Sequence, residues 1–483
     1  MVGRLSTVTA IIAVLGFAQT AHAEDSPFGP EQREIVAYDV DGWELRPLVE
    51  ARVRGEYHVF PMHDGMFQQR SVLSSEPIST SIDTVDDQIL IWERVRLGLG
   101  VKKGPVTAQV TLQDVRSVGN DMRGRRLAGQ PDLPVTAPYE AYIDVATDDR
   151  SVFFRLGRQE IVIGDGRLVG RSDDFPTGTT LDAARIFGKI DDFDLQAFAA
   201  MLVPPGEKEG SSDFAAGSQL YGLDGTWHIE PFFGVELTGL ARLVREPLVN
   251  DLLTPSDVFV AAVRLFGDYR GVRYSVTGAF EGGRIAERGV EDTRTLIAGG
   301  VAGRVEWETA LPWHFTFGAQ GAYASGGQDD GGEVVTRADG TQVSLGTSHA
   351  FDPILPDTTA HFGPAGFYAW TNIIEGGLDV AARPIDELLF RLSYRVLGSA
   401  EEGNWFTSSL FPVGTTPGTS LLGNIAAFDF RARPWPWLDL GAGYWIMVNT
   451  DAAKETFENA RTFPVEAPDF SEMAFLDARL RLP

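Results

Sequence analysis

Taken two residues at a time, the chain alternates. Between residues 49 and 59, Val49, Ala51, Val53, Tyr57 and Val59 fall on one side and Glu50, Arg52, Arg54, Glu56 and His58 on the other. That is the period of a β-strand with one apolar and one charged face. The split recurs at residues 235–243, where Glu236, Thr238 and Arg242 interrupt the apolar set, and at 272–280, where Arg273, Ser275 and Thr277 oppose Tyr274, Val276 and Phe280. Phe390, Leu392, Tyr394 and Val396 alternate with Arg391, Ser393 and Arg395; Phe428 and Phe430 alternate with Asp429, Arg431 and Arg433; Leu476, Ala478, Leu480 and Leu482 alternate with Asp477, Arg479 and Arg481. About eighteen such segments, each roughly the 9–11 residues of a tilted membrane strand, can be counted. They start near Val49, Ile91, Val106, Ala141, Val152, Ala183, Phe193, Leu220, Val235, Val258, Val272, Leu296, Phe315, Ile373, Leu389, Ile425, Leu438 and Phe475.

The connections are of two kinds. Residues 267–271 and 384–387 are short turns, whereas 113–138, 164–180, 326–370 and 448–471 are long and rich in Gly, Pro and Asp. Short turns on one rim and long loops on the other are the habit of outer-membrane barrels, and an even strand count puts both chain ends on the short-turn, periplasmic side. The long loops are expected to cap the barrel or fold into it. Trp92, Trp227, Trp307, Trp313, Trp435, Trp437 and Trp445 stand near segment ends, where aromatic girdles are expected. A soluble sandwich or propeller also alternates, but charges at successive inward positions suit a wet lumen and not a packed core. The expected fold is all-β: a transmembrane antiparallel β-barrel of about 18 strands in a single domain.

Composition narrows the chemistry. With 41 Lys and Arg against 67 Asp and Glu in 483 residues, the net charge of −26 excludes a protein that grips nucleic acid by its phosphates. The absence of Cys removes disulfides and thiolate chemistry. At the N-terminus, Arg4, the apolar residues 8–18 and Ala21-His22-Ala23 read as a Sec signal peptide, residues 1–23, leaving 24–483 as the mature barrel. His58, His63, His228, His314, His349 and His361 have no metal-ligand spacing, and there is no Gly-x-Ser-x-Gly elbow. Residues 326–333 carry oxygens but not the spacing of a calcium loop. No catalytic residue, metal or cofactor is therefore expected.

Residues 157–160 (Gly-Arg-Gln-Glu), 164–170 (Gly-Asp-Gly-Arg-Leu-Val-Gly) and 181–185 (Leu-Asp-Ala-Ala-Arg) resemble the signature region of the alginate export outer-membrane family. Residues 93–99, 112–116 and 140–144 resemble neighbouring stretches, and 351–356 with His361 and Gly363 a later loop. The resemblance implies a monomeric barrel whose narrow, arginine-lined lumen passes a polyanionic polysaccharide. A guanidinium pairs bidentately with a carboxylate, and a ring of them lowers the barrier to a dehydrated anion.

Parity turns Arg52, Arg54, Arg94, Arg96, Arg155, Arg395, Arg431 and Arg479 to the lumen. Arg158 and Arg185 lie in the matched signature and are carried over as constriction residues, although parity from Arg155 turns Arg158 outward unless Gly157 makes a bulge. Glu50, Glu56, Asp144, Asp182 and Asp429 are the expected lumen acids. Asp173-Asp174, Asp329-Asp330 and Glu401-Glu402 read as solvated loop tips, or as cation sites at a lipopolysaccharide surface. One departure is that the chain ends Arg481-Leu482-Pro483, without a terminal aromatic residue. The expected function is an anion-selective outer-membrane channel exporting an alginate-like polyuronate, embedded in outer-membrane lipid and lipopolysaccharide and served by a periplasmic export scaffold. An uptake porin for small anions or oligosaccharides and a secreted soluble glycan-binding protein are the alternatives left open.

Overall fold

The structure, a computed structural model, describes residues 38–59, 88–119, 135–202, 218–230, 232–244, 256–286, 293–327, 332, 334–336, 342–406, 412–459 and 467–482. The expected signal peptide, Asp329-Asp330 and His63 lie outside the described residues. Eighteen strands, from Trp43–Val59 to Phe470–Leu482, pair antiparallel with their chain neighbours, and the last pairs with the first from Val49↔Leu482 to Val59↔Glu472. The sheet therefore closes into a barrel. Every one of the eighteen predicted segments falls in its own barrel strand. A short strand, Tyr38–Val40, folds back on the first through Asp41 and Gly42, both at positive φ, and pairs Val40 with Trp43.

Alternation explains why this register holds. Val53, Ile91, Leu97, Leu223, Leu237, Leu378 and Leu476 point out and stay exposed, while Glu50, Arg52, Arg54, Arg94 and Arg96 point in and are buried. A one-residue slip would turn a row of charges toward lipid, where Arg or Lys costs about 2–4 kcal/mol at mid-depth. Aromatic pairs collect at the short-turn rim: Phe193 stacks on Trp227 at 5.2 Å and Trp435 on Trp437 at 5.2 Å, with Trp307 and Trp313 also exposed there. Trp92 and Trp445 depart from the expected girdle, because their strand positions share the parity of the buried row and both are buried inside.

The interior is not an open pipe. Two long-loop segments, residues 160–180 and 345–372, turn into the barrel and form an apolar core there. Ile161, Ile163, Leu168 and Val169 from one meet Phe351, Ile354, Leu355, Phe362, Tyr368 and Trp370 from the other, against Leu240, Val258 and Leu296 of the wall. Phe351 and Trp370 meet edge to face at 4.8 Å. The hairpin Gly403–Phe406/Pro412–Thr416 and the helix Asp451–Asn459 pack together above the long-loop rim, with Trp405 stacked on Phe457 at 5.3 Å.

Candidate functional site

Strands on either side of the closing seam build the site. Leu438–Asn449 and Phe470–Leu482 lead to the seam; Trp43–Val59 and Gln88–Lys103 follow it. From the last three of these, alternate positions aim Arg52, Arg54, Arg94, Arg96 and Arg479 at one patch of lumen, and Arg431 reaches it from the strand Ser420–Trp435. Wall carboxylates brace them. Arg52 holds Asp477 through Nε and Nη2 at 2.9 and 2.6 Å, Arg94 and Arg479 hold Glu50 at 2.8 and 2.7 Å, and Arg54 meets Glu56 at 2.8 Å. Among the described residues, these six guanidiniums meet three wall carboxylates, Glu50, Glu56 and Asp477, and Arg481 comes within 3.6 Å of Glu50 as well.

The remaining charge is met by the infolded segment. Arg96 donates to Asp173 Oδ1 at 2.8 Å, Arg94 approaches the same atom at 3.0 Å, and Arg479 takes Asp173 Oδ2. Arg52 donates to Asp174 Oδ1 at 2.9 Å, and Arg52 and Arg94 both donate to the Asp173 carbonyl oxygen. Aromatic faces complete the cradle: Arg52 lies over Trp92, Arg54 over Phe475, and Arg96 over Tyr139 at 3.4 Å. Burial by itself raises the Asp173 carboxyl, but Arg479, Arg94 and Arg96 override it and hold the group well below the usual range; for Asp174, Arg52 and Arg54 do the same. Asp173 and Asp174 are thus not solvated tips. The sequence offered a weak clue, since two adjacent acids in a long loop face a wall with a surplus of arginine.

The other expected residues are placed as follows. Arg155 points inward and pairs bidentately with Asp144 at 2.7 and 2.9 Å, stacked on Tyr142. Arg185, its direct cross-strand partner, donates to Gln196, and its Nε has no hydrogen-bond partner in the structure. Arg395 donates to Tyr368 Oη at 3.0 Å and to the His361 carbonyl oxygen at 3.2 Å, and so braces the second infolded segment. Asp429 accepts from Trp445 Nε1 at 3.1 Å. Arg158 and Asp182 require correction. The pairing from Val152↔Gly188 to Gln159↔Leu181 runs without a shift, so Gly157, although at φ 127, makes no bulge. Three residues from the inward pair Arg155 and Arg185, Arg158 and Asp182 therefore face outward, where they pair with each other at 2.7 Å, about one third exposed. Ion pairs that sequence reasoning missed line the wall elsewhere, Arg264–Glu236 at 2.6 Å and Arg304 with Glu306 and Asp379 at 2.7 Å each, and Arg242 of the wall pairs with Asp352 of the second infolded segment.

The two infolded segments meet through backbone. Leu355 N–H donates to Leu168 O, Gly170 N–H to Leu355 O and Asp357 N–H to Gly166 O, at 2.8–2.9 Å. His361 Nε2 donates to the Asp165 carbonyl oxygen at 2.6 Å. Burial, with the Arg167 guanidinium beside it, pushes the His361 imidazole down to about 4. A His held neutral in the docked state opposes docking once the released state can protonate. Docking therefore weakens as pH falls from about 6.5 through 4, and the depressed Asp173 and Asp174 carboxyls extend that loss below about 4. Open-channel probability in planar bilayers should rise as pH drops from 7 to 4.5. His361→Gln, which keeps an N–H donor without a titratable ring, should flatten that rise; an identical pH dependence in the variant would refute the assignment.

Set against known proteins, the chain matches the alginate export family over residues 65–437. It belongs to that family. The resemblance read from residues 157–185 is thereby borne out, and this family and this barrel are those of bacterial outer-membrane channels. Among solved structures, the alginate export barrel is similar to Pseudomonas aeruginosa OccK2 (OpdF) in complex with glucuronate, at TM-score 0.53 and 11% identity, covering 91% of this chain and 98% of that one. Acinetobacter baumannii OccAB1 gives TM-score 0.53 at 7% identity, over 91% and 97% of the two chains. Pseudomonas aeruginosa OccK11 (OpdR) gives 0.51 at 11%, over 90% and 96%. At these identities the likeness is one of fold alone. No curated protein matches the chain.

Proposed function

We propose that this alginate export family member is a passive, anion-selective outer-membrane conduit that exports an acidic, uronate-bearing polysaccharide. The observation that carries this reading is the arginine cradle around Asp173 and Asp174, two carboxylates on consecutive residues of a chain lying in the lumen. Six guanidiniums facing three wall carboxylates form a site for a polyanion, and in the closed form the protein's own segment fills it. Charge-assisted hydrogen bonds of this kind contribute about 1.5–3 kcal/mol each, enough to hold a carboxylate while leaving exchange between neighbouring arginines easy. Arg155 and Arg185, further round the wall, would carry the anion onward, Arg185 having no carboxylate in hydrogen-bonding contact among the described residues. Export, in place of uptake, rests on the family. The uronate bound in the OccK2 structure supports the ligand chemistry for this fold.

The test is single-channel current and reversal potential in planar bilayers, with and without added polyuronate. Wild-type channels should favour anions and be blocked by polyuronate, and an Arg94→Glu, Arg395→Glu variant should lose both properties. A weakly selective pore indifferent to polyuronate and to the substitutions would instead mark a general porin.

A further inference from the structure

The residue that precedes the two cradle carboxylates is bonded by the other infolded segment. Asp357 caps the helix Thr358–Phe362, and its Oδ1 accepts from the backbone N–H groups of Thr359 and Ala360, both at 3.3 Å. Its second oxygen, Oδ2, is turned to the first segment and accepts from Ser172 N–H at 3.1 Å. Ser172 stands immediately before Asp173 and has φ 47, in the left-handed region that a serine seldom adopts. Its hydroxyl donates to Pro356 O at 3.2 Å, so its N–H and its hydroxyl are answered by consecutive residues of the second segment, while its carbonyl accepts from Phe175 N–H at 3.0 Å in its own. The approach is close: a Cβ on Gly170 would lie 2.5 Å from the Asp357 nitrogen, so only glycine lets the strips touch.

We propose that Asp357 is a positioning residue for the gate: by holding Ser172 in its left-handed conformation it directs Asp173 and Asp174 into the arginine cradle, so that the two infolded segments release together. Backbone bonds and His361 hold the two segments together, and the Asp357 carboxylate carries a disturbance of residues 345–372 on to the cradle. This rests on the reading that the cradle is the conducting anion site, but it does not depend on which polyanion is carried.

Asparagine separates the two jobs of Asp357. It caps a helix as well as aspartate does, but with its single carbonyl oxygen turned to the helix its amide presents N–H to the Ser172 N–H. The measurement is small-ion conductance without polysaccharide, in Asp357→Asn, in Asp173→Asn/Asp174→Asn, and in the triple variant. Losing one hydrogen bond to a charged group should make release roughly 10- to 100-fold more frequent in Asp357→Asn. The triple variant should conduct no more than the Asp173→Asn/Asp174→Asn variant, because Asp357 acts by way of the contacts that Asp173 and Asp174 make. A silent Asp357→Asn, or an effect that adds in full to the double variant, would overturn the proposal. Gly170→Ala, which forces the strips apart without touching a charge, should open the channel in the same non-additive way and serves if Asp357→Asn fails to fold. Opening by Asp357→Asn without polyuronate block would keep the gate and remove the substrate reading.

Discussion

Replacing Asp173 and Asp174 together by asparagine should convert a mostly closed barrel into an open one. Each side chain keeps its volume, but the cradle loses the two carboxylates that answer its surplus guanidiniums. Removing one partner from a buried ion pair typically costs about 3–5 kcal/mol. That shifts the balance between docked and released segment by roughly two to three and a half powers of ten. Mean current in planar bilayers should rise accordingly, and anion selectivity should sharpen because the exposed wall is then more positive. Currents indistinguishable from wild type would mean that the apolar contacts of Ile161, Leu168 and Val169 hold the segment without help from charge.

Trp370→Ala should loosen the second segment by a different route. Trp370 is fully buried inside the barrel, meets Phe351 edge to face, donates from Nε1 to the Tyr323 carbonyl oxygen at 3.0 Å and lies flush on Gly300. Truncating a buried tryptophan to alanine costs about 3–5 kcal/mol. The loss falls on residues 345–372 and not on the wall, whose ladders do not depend on it. Hydrogen exchange at the amides of Phe351, Leu355 and Asp357, each bonded across segments or to the wall, should speed up by roughly a hundredfold or more. Strand amides on the far side, such as those of Arg94 and Arg479, should keep their protection. A uniform loss over the whole barrel would show that the inner core supports the wall.

The wall was legible in the sequence because one rule governs it. Alternation with period two marks each strand, and short turns against long loops mark the rims, so strand number, closure and the inward set Arg52, Arg54, Arg94, Arg96 and Arg479 follow from residue types alone. Parity was also right about Arg158 where the family signature pulled the other way: a positive φ at Gly157 changes the backbone locally, and only an extra residue in the strand would change the face. What fills the barrel was not legible. Asp173 and Asp174 look like solvent-exposed acids because loops have no period to read, and their partners lie some 120 residues before and 300 after them in the chain. Trp92 and Trp445 misled for the same reason, since a tryptophan near a strand end suits a girdle until something inside the barrel gives it a surface to pack on.

The position of the cradle astride the closing seam bears on how the molecule comes into being. Arg52 belongs to the first barrel strand and its partner Asp477 to the last, Glu50 and Arg479 repeat that pairing in reverse, and the segment carrying Asp173 docks onto both strands at once. A chain with its two edges apart lacks the Arg52–Asp477 and Glu50–Arg479 pairs, and Asp173 is left with the arginines of the first two strands alone. The joining of the edges therefore completes the cradle in the same step that closes the wall.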